Sequence, residues 1–189
     1  MKKLTFAFIA FLGLGTVGAF AQDTNTDNHT VSITVPEVAL LDIEPGAPAK
    51  NIAMNFTANG EAGLGLTSPS ANASLWLNYT SVVTAGAPDN VRQINVKLTT
   101  ALAGVDIAVT PATPVFTGGT VASAGTSGAA VTLTTTAQDI VTGIGSVYTG
   151  DGINKGVNVS YGITAPAASF ASLVAGTTAV TVTYTLTDN

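Results

Sequence analysis

The sequence predicts an all-β chain, an immunoglobulin-like Greek-key β-sandwich. Three observations lead there. Short runs of strict period-2 alternation recur along the chain, the spacing at which a strand turns one face to a core and the other to water. Those runs, roughly eight to ten of them at intervals of about 8–12 residues, are separated by Gly, Pro, Asn and Asp turn signals. Only 9% of the residues are charged, so no long helix with a charged face can be written, whereas Thr and Val are abundant.

Residues 1–21 read as a secretory signal peptide. Lys2 and Lys3 form a positive start, an apolar run follows, and Ala19-Phe20-Ala21 meets the small-x-small cleavage rule. The apolar run approaches the length of a short membrane span, but that exit and the polar Gln22-Asp23-Thr24-Asn25 point to cleavage before Gln22. No stable membrane span is then expected. The mature chain is expected beyond the inner membrane: in the periplasm, at the cell surface or outside the cell.

The chain has no cysteine, which removes a lipid-anchored N-terminus, disulfides and thiolate metal sites together. Burial alone must hold it. At this size roughly 68–70% of the unfolded surface is buried on folding, enough for a single domain over residues 29–189. Without Lys2 and Lys3, only Lys50, Arg92, Lys97 and Lys155 face 11 acidic residues. An acidic chain of this kind is a poor partner for nucleic acid or anionic lipid, which need clustered Lys and Arg.

Along the chain, residues 22–28 contain no apolar side chain and read as a flexible leader. Residues 29–36 hold the first candidate strand, with Val31, Ile33 and Val35 on one face and Pro36 ending the phase. Val38, Leu40, Leu41 and Ile43 continue as a more buried segment, closed by the turn Glu44-Pro45-Gly46. Residues 51–58 alternate through Ile52, Met54 and Phe56 before the turn Asn59-Gly60, and Gly63-Leu64-Gly65-Leu66 reads as a bulge or distorted edge. Residues 74–83 put Leu75, Leu77 and Tyr79 on one face and Trp76 and Asn78 on the other. Ile94, Val96 and Leu98 align within residues 91–99. A run over 105–109 follows Gly104, and the two form a predicted hairpin.

Residues 117–130 read as a long surface loop with a short edge strand near Thr120-Val121, and a strand follows over 131–135. Asp139 is read as the cap of one helical turn over 139–145. Gly150-Asp151-Gly152 is a turn before the strand over 157–163, and Pro166 opens a brief helical excursion within 165–174. The chain then closes on Val180, Val182, Tyr184 and Leu186, alternating with Thr181, Thr183, Thr185 and Thr187. A finished strand at such a position is either paired in its own sheet or offered to another chain.

The residues of catalysis do not assemble in the sequence. His29 is the lone histidine, beside the leader, and no nucleophile–base–orienter set can be built around it. Asp42 and Glu44 share one strand, whereas a glycosidase pair comes from separate elements across an aromatic cleft. Asp151-Gly152-x-Asn154 matches part of a calcium loop but lacks its second and third carboxylates and its closing Glu, so it reads as a turn. Gly143-x-Gly145 and Gly118-Gly119 lack the residues of a phosphate loop. Trp76 with Tyr79 is weighed as a sugar platform against packing between the sheets, and packing is preferred for a lone Trp. No enzyme, catalytic residue, metal site or cofactor is expected.

With these residues in view, the tail resembles the last strand of pilins assembled by the chaperone–usher pathway and of the related spore-coat-U-like secreted proteins. Those tails carry a glycine at a fixed distance from the end, an alternating Val/Thr strand and a near-terminal aromatic. Here Gly176 stands at that distance and Val180, Val182, Tyr184 and Leu186 supply the alternation, while the penultimate residue is Asp188. The front resembles the cysteine-free alpha class of fimbrial pilins: an alternating Thr/Val segment over 30–35, then Pro36 and Leu40-Leu41-Asp42-Ile43, with residues 92–98 as a comparable middle strand.

The resemblance implies a sandwich lacking one strand, completed by donor-strand exchange with the N-terminal extension of a neighbouring subunit. Val31, Ile33 and Val35 would be the donor's teeth, and Val180, Val182, Tyr184 and Leu186 the receiving strand. It further implies self-association into fibres, with a periplasmic chaperone and an outer-membrane usher as partners. The expected function is a structural subunit of a bacterial surface fibre or coat. The alternative is a monomeric secreted binding module, adhesin-like, for a glycan or protein ligand. Residues 30–35 are open to two readings, a donated strand or the first strand of a complete sandwich.

Overall fold

The computed structural model describes residues 25–46 and 49–189. The signal peptide expected over 1–21 and the first residues of the expected leader lie outside them. One compact unit spans Val35–Asn189, and residues 25–34 belong to a separate N-terminal segment. Among the described residues no helix is long and apolar enough to cross a membrane.

The compact unit is a two-sheet, antiparallel β-sandwich. Its strands are β1 (Val38–Pro45), β2 (Asn72–Val82), β3 (Arg92–Leu98), β4 (Asp106–Pro111), β5 (Ala124–Ser127), β6 (Val131–Thr132), β7 (Gln138–Ile144), β8 (Val147–Tyr148), β9 (Val157–Thr164) and β10 (Val182–Asp188). One sheet runs β1-β2-β9-β4-β6, with β8 also paired to β2; the other runs β10-β3-β7-β5. The alternating residues fill the space between them. Leu77, Val109, Val157 and Val159 come from the first sheet and Ile94, Val96, Ile140 and Ile144 from the second, all fully buried. Each such side chain contributes roughly 1.5–3 kcal/mol on burial, and with no cysteine this core is what holds the sheets together. Tyr79 adds a polar tie across it, its hydroxyl donating to Ala124 O at 2.6 Å.

Several expectations are corrected. The run over 30–35 forms no strand: residues 25–37 carry no ladder, and Val31, Ile33 and Val35 are 68%, 82% and 71% exposed. Residues 51–58 keep their alternation, with Ile52, Met54 and Phe56 packed against the core. Their backbone, however, joins neither sheet: its isolated bridge links Thr57 to Thr67, and both lie outside the strands. Side-chain burial alone fixes them, so the pattern of a strand appears without its hydrogen bonds.

The predicted hairpin of residues 91–99 with 105–109 does not form. β3 pairs with β10 and β7, β4 with β9 and β6. Both runs face the core, but alternation specifies a face and not a neighbour, and the connection crosses from one sheet to the other. The helical turn capped by Asp139 is also absent, because β7 occupies that stretch. The register of β3 on β7 slips at two places, and Gly143 sits at φ +71°. These irregularities let Ile140, Val141 and Ile144 all reach the core, a spacing that mimics a helix when read as a string. Asp139 accepts instead from Asn95 Nδ2 at 2.8 Å.

The edge strand expected near Thr120-Val121 lies later, at β5, after a turn closed by mutual bonds of Thr120 and Ser123. Pro166 does open a short 3-10 helix, Ala167–Ser172. Trp76 is half-buried on the outer face of its sheet, while Tyr79 is in the core. The two rings therefore cannot form one platform, and Trp76 does not pack between the sheets.

Candidate interaction edge

β10 is the last strand of its sheet and pairs only with β3. Thr99 N donates to Thr181 O and Asn189 N to Val91 O, which sets the phase of this antiparallel ladder. In that phase Thr183, Thr185 and Thr187 turn their backbone groups to β3, and Val182, Tyr184 and Leu186 turn theirs to the open edge. The side chains of the same three residues, and of Val180, pack half-buried against the core. Hydrophobic side chains inward and free backbone groups along the rim are what an added strand needs.

β1 presents the matching edge in the other sheet. It pairs only with β2, and Gly46 N donates to Ser74 O beyond its end. Leu41 and Ile43 then direct their backbone groups away from β2, while their side chains pack against the core. β1 and β10 are thus edge strands, one in each sheet and both backed by half-buried apolar residues, while β6 and β5 form the opposite edges.

Arg92 joins these two edges at one end. It is 2% exposed, and every arm of its guanidinium is used. Nη1 donates to Val38 O at 2.6 Å at the start of β1, and to Ser81 Oγ and Val82 O, both at 3.1 Å, at the end of β2. Nε donates to Asp188 Oδ1 at 2.9 Å, the last residue of β10, and Nη2 bonds Glu37. A buried cation is tolerated only when paired and fully hydrogen-bonded, and this one is. Asp188 and Glu37 are the two acids of this clamp.

Tyr184 makes a second tie. Its hydroxyl shares a hydrogen bond with that of Tyr161 on β9, across the two sheets. Burial raises the pKa of Tyr79, Tyr161 and Tyr184, and for Tyr184 the neighbouring Tyr161 raises it further. The native state thus keeps protons that the unfolded chain releases near pH 10. Stability is complete below that pH and falls as pH rises past it. Tyr184→Phe is expected to make that fall shallower while costing about 1–2 kcal/mol at neutral pH, since it leaves the Tyr161 hydroxyl without its partner. Thermal unfolding followed from neutral to strongly alkaline pH checks both signs.

Of the residues singled out in the sequence, Val180, Val182, Tyr184 and Leu186 are gathered along one edge. Val31, Ile33 and Val35 belong to no ladder. Arg92, Glu37, Asp188 and Tyr161 were not anticipated. One signal was available: Arg92 falls in the inward phase of Ile94, Val96 and Leu98, where a charge is out of place. No family model matches this chain, and neither a curated protein nor a solved structure does.

Proposed function

We propose that the chain is a structural subunit of a bacterial surface fibre or coat, secreted and assembled head-to-tail by β-strand addition. In this reading the sandwich is an immunoglobulin-like Greek key lacking one strand, and residues 30–35 of another copy supply it. The observation that carries the reading is the pairing of two unsatisfied features. β1 and β10 are open edges backed by apolar residues, and Val31, Ile33 and Val35 form an exposed apolar row that no strand covers.

Burying those three side chains contributes roughly 1.5–3 kcal/mol each, and the added ladder satisfies the free backbone groups of the edges. A contact between the front of one copy and the edge of the next does not close on itself, so it propagates. A periplasmic chaperone and an outer-membrane usher are the partners this reading implies, and it assigns the chain no catalytic role. The other reading, a secreted binding module for a glycan or protein, is favoured by a depression on the outer face of β1 and β2.

Deleting residues 22–35 from the mature chain tests the proposal. By electron microscopy the intact protein is expected to form filaments and the truncated one none, and Ile33→Asp alone is expected to shorten them severely. A truncated protein as polymeric as the full one would sink donor-strand assembly.

A further inference from the structure

Asp42 and Glu44 occupy the outward phase of β1, opposite to Leu41 and Ile43, which face the core. Across the ladder from Asp42 stands Asn78, and from Glu44, Trp76. The turn after β8 folds over Asn78, whose Nδ2 donates to Gly152 O at 3.0 Å. That turn brings Asp151 to a depression of about 490 Å³ whose walls include Asp42, Asn78, Tyr148 and Gly150. Glu44 stands two residues from Asp42 on the same face of β1. The fragment Asp151-Gly152-x-Asn154 lacked further carboxylates in the sequence. The fold supplies two, from β1.

Asn78 separates this from an ordinary acidic patch. The residue is 6% exposed, yet its Oδ1 has no hydrogen-bond partner. A buried carbonyl left so costs about 1–3 kcal/mol, and ionised carboxylates around it have no proton to offer. A cation would satisfy it. Lys50 Nζ already lies 2.9 Å from Asp42 Oδ1, but the two side chains are 55% and 58% exposed, so that pair is weakly held and readily exchanged.

We propose that this depression binds Ca²⁺, with the carboxylates of Asp42, Glu44 and Asp151 and Oδ1 of Asn78 as ligands. Water completes the roughly six to eight oxygens that the ion takes. Among the described residues no three acidic, His or Cys side chains already form a cage. The site therefore closes on its ion, drawing in exposed carboxylates and releasing Lys50 from Asp42. The affinity expected is that of an extracellular module, with Kd about 10⁻⁴–10⁻³ M, and Mg²⁺, which needs a near-ideal octahedron, binds poorly. This face points away from the core-facing side of the open edges, so the inference stands whether or not the chain polymerises.

The full mature chain, stripped of divalent ions, is titrated with CaCl₂ by calorimetry and with TbCl₃ by luminescence excited through Trp76, the single tryptophan. One saturable site is expected, with Ca²⁺ displacing Tb³⁺ and raising the unfolding temperature where equal Mg²⁺ does not. Asp151→Asn and Glu44→Gln should each weaken binding about tenfold, because affinity follows ligand charge. Lys50→Gln should tighten it about threefold or more by freeing Asp42. No saturable binding by the intact protein would overturn the site. So would affinity unchanged in both carboxylate variants, or a Lys50→Gln protein that binds more weakly.

Discussion

Arg92→Met is expected to destabilise the sandwich by about 3–5 kcal/mol, the range for breaking a buried ion pair from one side. A typical domain has only about 5–15 kcal/mol in total. The loss does not come mainly from the carboxylates. Glu37 and Asp188 keep 45% and 50% of their side-chain surface in water, and each can rehydrate, so Glu37→Gln or Asp188→Asn alone should cost no more than about 1 kcal/mol. It comes from Val38 O, Val82 O and Ser81 Oγ, which lose a shared charged donor in a dry place.

Arg92→Lys should fall between these extremes, since a single ammonium cannot span the positions that the guanidinium fork reaches. Urea unfolding of the four variants gives the comparison. If Arg92→Met costs no more than Asp188→Asn, the clamp is a surface ion pair and nothing more. Because the same guanidinium holds the start of β1 to the end of β10, its loss should also weaken any strand added between those edges.

Gly156→Ala is the second large effect, expected to cost about 4 kcal/mol or more, a size reserved for a few named mechanisms. Gly156 has φ +68°, and a Cβ there would lie 1.8 Å from Leu77 O. The residue is also bridged in both directions to Val115, so it cannot slide away. It stands where β9 begins its pairing with β2, and the carbonyl in the way belongs to β2, an interior strand of the sheet. Gly152→Ala is the control. It has φ +93° with nothing within 4 Å of its Cβ, so only backbone strain of about 1–3 kcal/mol is expected. Equal losses in the two variants would show that conformation, and not the clash, sets the cost.

The strands that were legible in the sequence are those whose side chains alternate between a dry and a wet face. Leu75, Leu77 and Tyr79 on β2, Ile94, Val96 and Leu98 on β3, Val157, Val159 and Tyr161 on β9, and Val182, Tyr184 and Leu186 on β10 all face the core or its margin. Period-2 alternation is a local property, and the wish to bury one face is written residue by residue. Where two bulges let Ile140, Val141 and Ile144 share a core, the same local reading returned a helical turn. Where Ile52, Met54 and Phe56 were buried without a ladder, it returned a strand.

By itself, then, the order of residues determined that this is a disulfide-free sandwich of short strands ending in an alternating β10. Burial preference needs no partner to be read. Tertiary structure alone decided which strands are neighbours, that β3 and β4 part into different sheets, that β1 and β10 are left as open edges, and that Arg92 ties their ends. It also decided that Asp151 and Asp42 line one depression together with Asn78. Hydrogen-bond pairing and charge contact depend on distance in space, and residues separated by most of the chain's length carry no mark of it in their order.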